Sequence, residues 1–228
     1  MKRVIDSQVQ SEKLINDRRD RIVRAAIAVF HERGFHVATT ADIAKEAGLT
    51  QSNIYNYVKS KQDVLFLVCE HLVGMYDNVL NKVVAEESDP YRRIVEAIRS
   101  TTSVMNNHRD ELQLLYNETH ALEKRDRMHI LASVSRFIGR FQKLLDDYVM
   151  AGGRIDFDRR LAANFLSFVP AMVALRSWDL AFNCDADVEE GILRFCLNGL
   201  GIRLPHEQKE AIGAEIAATK RKAAKATA

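Results

Sequence analysis

Apolar residues in this chain recur at intervals of three and four, and nowhere do β-branched residues alternate with polar ones long enough to make a strand. Only three prolines and ten glycines punctuate the 228 residues. That spacing predicts an all-α fold. The first helix is expected from about Asp17 to Arg33, with Ile22, Ala26, Val29 and Phe30 on one face and Gly34 at its C-terminal end. Thr39, three residues before Asp42, reads as a capping box that opens a short second helix ended by Gly48. Thr50 caps a third over about Gln51 to Tyr57, and Ser60 caps a long fourth through about Ala85. Asp89 and Pro90 open another. "RDELQLLYNETHAL" makes three to four turns, and Leu131, Val134, Ile138, Phe141, Leu145 and Tyr148 mark a long amphipathic helix ending at Gly152 and Gly153. "DFDRRLAANFLSFVPAMVALRSWDLAF" is apolar nearly all round and predicts a buried helix kinked at Pro170. "VEEGILRFCLNGLGIRL" is the last.

These elements divide the chain into a flexible N-terminal arm at 1–16, a three-helix domain at 17–62, a larger helical bundle at 63–205 and a basic, low-complexity tail at 206–228. Hydrophobic residues make up 47% and charged residues 28%, an ordinary globular composition. With 33 Lys and Arg against 31 Asp and Glu, any attraction to nucleic acid must be local. No apolar run reaches the length of a membrane span and the N-terminus has no apolar signal core, so the expected location is the cytoplasm, with no membrane partner. Cys69, Cys184 and Cys196 suggest neither a disulfide framework nor a zinc site. Buried small hydrophobe is the default role for each, and redox sensing the alternative.

The stretch "TTADIAKEAGLTQSNIYNYV" has the layout of a helix-turn-helix, with Gly48 and Leu49 in the tight turn. Leu49 and Ile54 are expected to bury between the helices, while Gln51, Ser52, Asn53, Asn56 and Tyr57 face away from them. Side chains carrying both donors and acceptors are what reading base edges in a major groove requires. Lys59, Lys61, Arg18, Arg19 and Arg21 flank that face and suit phosphate contacts that set register. The competing reading is a polar, solvated helix in an ordinary bundle, and for Thr40 and Tyr57 packing competes directly with phosphate binding.

At these residues the chain resembles the tetracycline-repressor (TetR) family of bacterial one-component regulators, over "IVRAAIAVFHERGFHVATTADIAKEAGLTQSNIYNYVKSKQDVL". The resemblance implies that Thr39 caps the second helix near a phosphate, that Gln51, Ser52, Asn53 and Asn56 face bases, and that Tyr57 and Lys61 sit on phosphates. The chain departs from the family pattern at Thr40 and Ala41, where a hydrophobe and a basic residue are frequent, and at Val58, where Phe is common. It also implies a C-terminal bundle that binds a ligand and dimerises. "ELQLLYNETHAL" and "SNIYNYVKSKQDVLFLVCEHL" are further similar to a subgroup that responds to acyl-CoA thioesters, which makes an acyl-CoA or related hydrophobic acid the expected effector.

From Gln62 onward there is no GxSxG, P-loop or GxGxxG, and the seven histidines are scattered without metal-ligand spacing. No catalytic residue, metal or cofactor is predicted. Met105, Tyr116, Phe137, Phe141, Phe168, Met172 and Trp178 line an apolar pocket or fill a core. Arg176, alone in an apolar helix, pairs with Asp179 or joins Arg136 and Arg140 in binding an acidic ligand. The apolar surface of "ANFLSFVPAMVAL" and "ILRFCLNGLG" predicts a homodimer, and two-fold symmetry a palindromic double-stranded DNA operator. The expected function is a ligand-released repressor. The alternatives are a DNA-binding regulator without a ligand and a helical enzyme or carrier using Tyr116, Glu118 and His120.

Overall fold

The computed structural model describes residues 12–180 and 183–202, and every regular element among them is helical. The expected tail at 206–228 and the first eleven residues of the expected arm lie outside the described residues. The helices are α1 (Glu12–Arg33), α2 (Thr40–Glu46), α3 (Gln51–Ile54), α4 (Lys61–Glu86), α5 (Pro90–Asn107), α6 (Arg109–Glu118), α7 (Lys124–Met150), α8 (Arg159–Phe168), α9 (Met172–Leu175), α10 (Ser177–Leu180) and α11 (Asp185–Gly199). Two compact units emerge. One holds the described residues up to Asn78 with Val104–Phe137, and the other holds Val79–Ser103 with the described residues from Ile138 onward.

In the first unit, α1 buries Ile22, Val23, Ala26, Val29 and Phe30 at spacings of three and four and packs on α2, which packs on α3. Polar side chains start these helices. Asp63 N donates to Ser60 Oγ at 3.1 Å, satisfying one of the amides that a helix start leaves without an intrahelical acceptor. Helix α1 begins at Glu12, five residues before the sequence signal, because propensity extends a helix beyond its first buried residue. Helix α3 closes at Ile54, three residues earlier than expected: Asn56 N bonds to Asn53 O and Tyr57 N to Ile54 O, tightening the chain into a turn before α4.

In the second unit the core takes Leu80, Ile94, Ile98, Phe141, Leu145, Leu166 and Ala174, and Arg92 N donates to Asp89 Oδ1 at 2.8 Å in the expected cap of α5. The helix expected to be buried all round is instead broken and half exposed. A 3-10 turn at Val169–Ala171 carries Pro170 between α8 and α9. Ala162, Ala163, Leu166, Val173 and Ala174 face inward, while Leu161, Phe165, Phe168 and Met172, at steps of four, three and four, face solvent. Along α7, after the buried Asp126, Ile130, Ser133 and Phe137 are buried, each one residue before the expected Leu131, Val134 and Ile138. Burial pushes the thiols of Cys69 and Cys196 up to about 12, whereas Cys184 is exposed with its Sγ 3.0 Å from Asp187 Oδ2.

Candidate nucleic-acid interface

The turn that separates α2 from α3 depends on Gly48, whose φ of +64° is a left-handed conformation that side chains rarely adopt. A Cβ there would also lie 3.1 Å from Arg21 Nη2, which donates to Ala47 O at 2.7 Å and satisfies a carbonyl at the end of α2. Both helices that meet at this turn have side-chain caps. Asp42 N donates to Thr39 Oγ1 at 3.1 Å and Thr39 N to Asp42 Oδ2 at 3.0 Å, the reciprocal box read from the sequence. The Thr39 hydroxyl donates to the same Oδ2 at 2.6 Å and Arg33 Nη1 donates to Oδ1 at 2.8 Å. These bonds, those from Thr39 first, hold the Asp42 carboxyl below the usual carboxylate range. Asn53 N donates to Thr50 Oγ1 at 3.2 Å at the start of α3.

On α3 and in the turn after it, four of the five positions that the sequence assigned outward reach the surface, Tyr57 being the exception. Gln51 and Ser52 are exposed, Asn53 and Asn56 half-buried, and Ile54 fully buried beneath them. Asn56 Nδ2 donates to Asn53 Oδ1 at 3.2 Å and Ser52 Oγ lies 3.2 Å from Thr50 Oγ1, so the polar side chains brace one another before any ligand arrives. Such a face presents amide and hydroxyl groups on a rigid support, as base-edge recognition needs.

Several expected contacts are placed differently. Tyr57, assigned to a phosphate, is only 4% exposed and belongs to the core: with Ile54 and Val58 it repeats at three and four, the spacing of a buried face. Tyr55 is the exposed tyrosine, at 45%, and its hydroxyl lies 3.0 Å from Thr40 Oγ1, tying the start of α2 to the end of α3. Periodicity alone carried the signal that separates the two. Lys61 points inward as well. Its Nζ donates to Phe35 O at 2.6 Å, His36 O at 2.9 Å and Ala38 O at 2.8 Å, and lies 4.7 Å from the Phe35 ring centroid. An ammonium has three donors, and all three are used within the chain, so Lys61 acts as a clamp on the loop between α1 and α2. Arg19 faces a hollow beside α4, where burial lowers its pKa while Glu70 and Asp63 oppose that shift. Arg18 is half-buried on α1 and Lys59 is exposed just before α4.

The residues expected to line or fill a pocket fall in both units. Met105 and Phe137 are buried in the first, where Phe137 lies 5.4 Å from Tyr76, and Tyr116 is exposed. In the second, Phe141 is buried, but Phe168 at 54%, Met172, Arg176 and Trp178 at 69% face solvent, since the outward face of α8 to α10 carries them. Arg136 Nη2 donates to Ser133 Oγ at 2.7 Å and Arg140 bonds Asn81. Long-range histidine pairs were missed altogether. His31 Nδ1 lies 3.1 Å from Asp110 Oδ1, His36 Nε2 3.4 Å from Glu118 Oε2 and His129 Nε2 3.5 Å from Glu70 Oε1. Their partners are distant in the chain, and no local spacing announces them.

A capped two-helix turn with a braced polar face defines a helix-turn-helix protein. The family model for bacterial regulatory proteins of the tetR family matches residues 22–68, the stretch that holds this helix-turn-helix. HTH-type transcriptional regulator HbdR of Aromatoleum sp. (strain CIB) is 26% identical over 201 residues, 83% of either chain. The crystal structure of a TetR/AcrR-family regulator from Thermobifida fusca YX-ER1 superposes with a TM-score of 0.68 at 28% identity, covering 81% of this chain and 98% of that one. AibR, solved with isovaleryl coenzyme A and operator DNA, gives a TM-score of 0.67 over 78% of this chain and 97% of its own. At 15% identity that likeness speaks to fold alone. Among the described residues no helix is long and apolar enough to cross a membrane.

Proposed function

We propose that this chain is a cytoplasmic transcriptional repressor that binds a palindromic operator as a homodimer and is released by a small hydrophobic acid or acyl-CoA. The observation that carries the reading is the outward face of α3. Gln51, Ser52, Asn53 and Asn56 are its base-reading residues, while Thr40, Tyr55, Lys59 and Arg18 serve the phosphates and Thr39 builds the helix end between them. Residues 17–62 then read DNA and 63–205 bind the effector and dimerise. The exposed Phe165, Phe168, Trp178 and Phe195 support self-association, because apolar surface of this kind marks an interface.

The effector half draws on the first unit. The Tyr76 hydroxyl is buried there with no hydrogen-bond partner among the described residues, next to Phe137, and burial with nearby Tyr116 and Glu111 pushes its pKa up. A buried polar group without a partner is rare and suits a site completed by a ligand. The acyl-CoA class is supported by what AibR is described as binding.

Selection of operator sequences from random DNA tests the first half: an enriched inverted repeat is expected, and Asn53→Ala should lose roughly 1 to 3 kcal/mol of base preference at one position. Enrichment of no inverted repeat would overturn it. Titration with acyl-CoAs and free acids tests the second, with weakened operator binding expected. If operator binding holds while the whole series leaves it unchanged, a regulator without a ligand is the correct reading.

A further inference from the structure

A hollow of about 390 Å³ opens between α1 and α4 within the first unit, in the volume range of small-molecule sites. Its lining is mixed: Arg19, Asp20 and Val23 come from α1, and Glu70, His71, Gly74 and Met75 from α4, with Glu70 and Gly74 one turn apart on the same helix face. Gly74 sits mid-helix, where glycine costs about 0.5 to 1 kcal/mol relative to alanine. No packing demands it. A Cβ at that position meets no atom within 4 Å, so the missing side chain leaves room rather than relieving a clash. What the glycine does is keep that turn of α4 recessed.

The charges on the wall select the occupant. Asp20 and Glu70 stand against the single permanent cation Arg19, whose charged form is supported by Glu70 and Asp63. Glu70 also faces His129 Nε2 at 3.5 Å. Asp20 and Glu70 against Arg19 leave one net negative charge on these carboxylates and guanidinium, which repels an acid and attracts an amine. We propose that this hollow is a binding site for an organic cation with an apolar body, an alkyl or aryl amine whose ammonium sits between Asp20 and Glu70 and whose body lies over Gly74 and Met75. The site is separate from the acyl-CoA effector, whose acidic groups the wall disfavours. Its occupant touches both α1, which packs on α2, and α4, so it bears on the helices that position the DNA-reading face.

Calorimetric titration of the full chain with hexylamine and phenethylamine, against hexanoate and phenylacetate as controls, tests the assignment without reference to DNA. Saturable binding of the amines is expected, with the acids silent. Gly74→Met fills the hollow and should weaken amine binding at least about tenfold while thermal stability holds or rises. Glu70→Gln keeps the hollow open and should weaken binding by a similar factor through loss of charge, which stands in if Gly74→Met does not fold. Silence of both amines up to about 10 mM, or binding undiminished in both variants, overturns the proposal.

Discussion

The segment from Thr39 to Asp63 and the segment from Phe157 to Phe195 hold themselves in opposite ways. In the first, caps at Thr39, Thr50 and Ser60, the Arg21 bond to Ala47 and the Lys61 clamp satisfy the backbone with polar groups over a small core. In the second, apolar side chains outnumber the places available to bury them: Phe157, Leu161, Phe165, Phe168, Trp178 and Phe195 are all exposed in the single chain. The first segment is finished by its own hydrogen bonds and presents a fixed polar face, whereas the second leaves apolar side chains exposed and is unfinished on one side.

The largest expected effect falls on the unfinished side. Phe168→Asp should weaken self-association by about a hundredfold or more, read by sedimentation velocity, with the isolated protomer still helical by circular dichroism. Unchanged association would remove the contrast between the segments. Next comes Lys61→Ala, which deletes charge-assisted bonds to three carbonyls and should cost about 2 kcal/mol in urea unfolding. Its DNA binding should keep the parent's dependence on salt; a slope smaller by about one would put Lys61 back on a phosphate. Thr39→Ala should cost about 1 kcal/mol through the lost cap. The smallest effect is acid sensitivity. Because the folded Asp42 carboxyl titrates below its usual value, its stabilisation is present above about pH 4 and lost as pH falls through the folded pKa. An Asp42→Asn chain should lack that part of the stability-against-pH curve.

The same contrast decided what the sequence disclosed. Caps and turns are legible because donor and acceptor lie within four residues, as Thr39 and Asp42 or Ser60 and Asp63 do. The polar face of α3 was legible for the same reason: Gln51, Ser52 and Asn53 sit on one short helix with Ile54 as its inward marker. Tyr57 was assigned outward because donor chemistry outweighed the spacing that pairs it with Ile54 and Val58, and Tyr55 was given no role. Lys61 misled because a basic residue beside a DNA-reading helix suggests phosphate, and nothing local shows that residues 35, 36 and 38 turn their carbonyls toward it. The pocket set was least legible, since an apolar residue reads alike whether it meets a core, a ligand or a second chain.

The Lys61 clamp carries one mechanical consequence. Residue 61 is the first of α4, and its ammonium grips the loop through which α1 passes into α2, so the long helix and the small helices share a joint without slack. A turn of the first residues of α4 would therefore pull on the loop that leads into α2, and through α2 on the helix that carries Gln51, as a latch couples two doors.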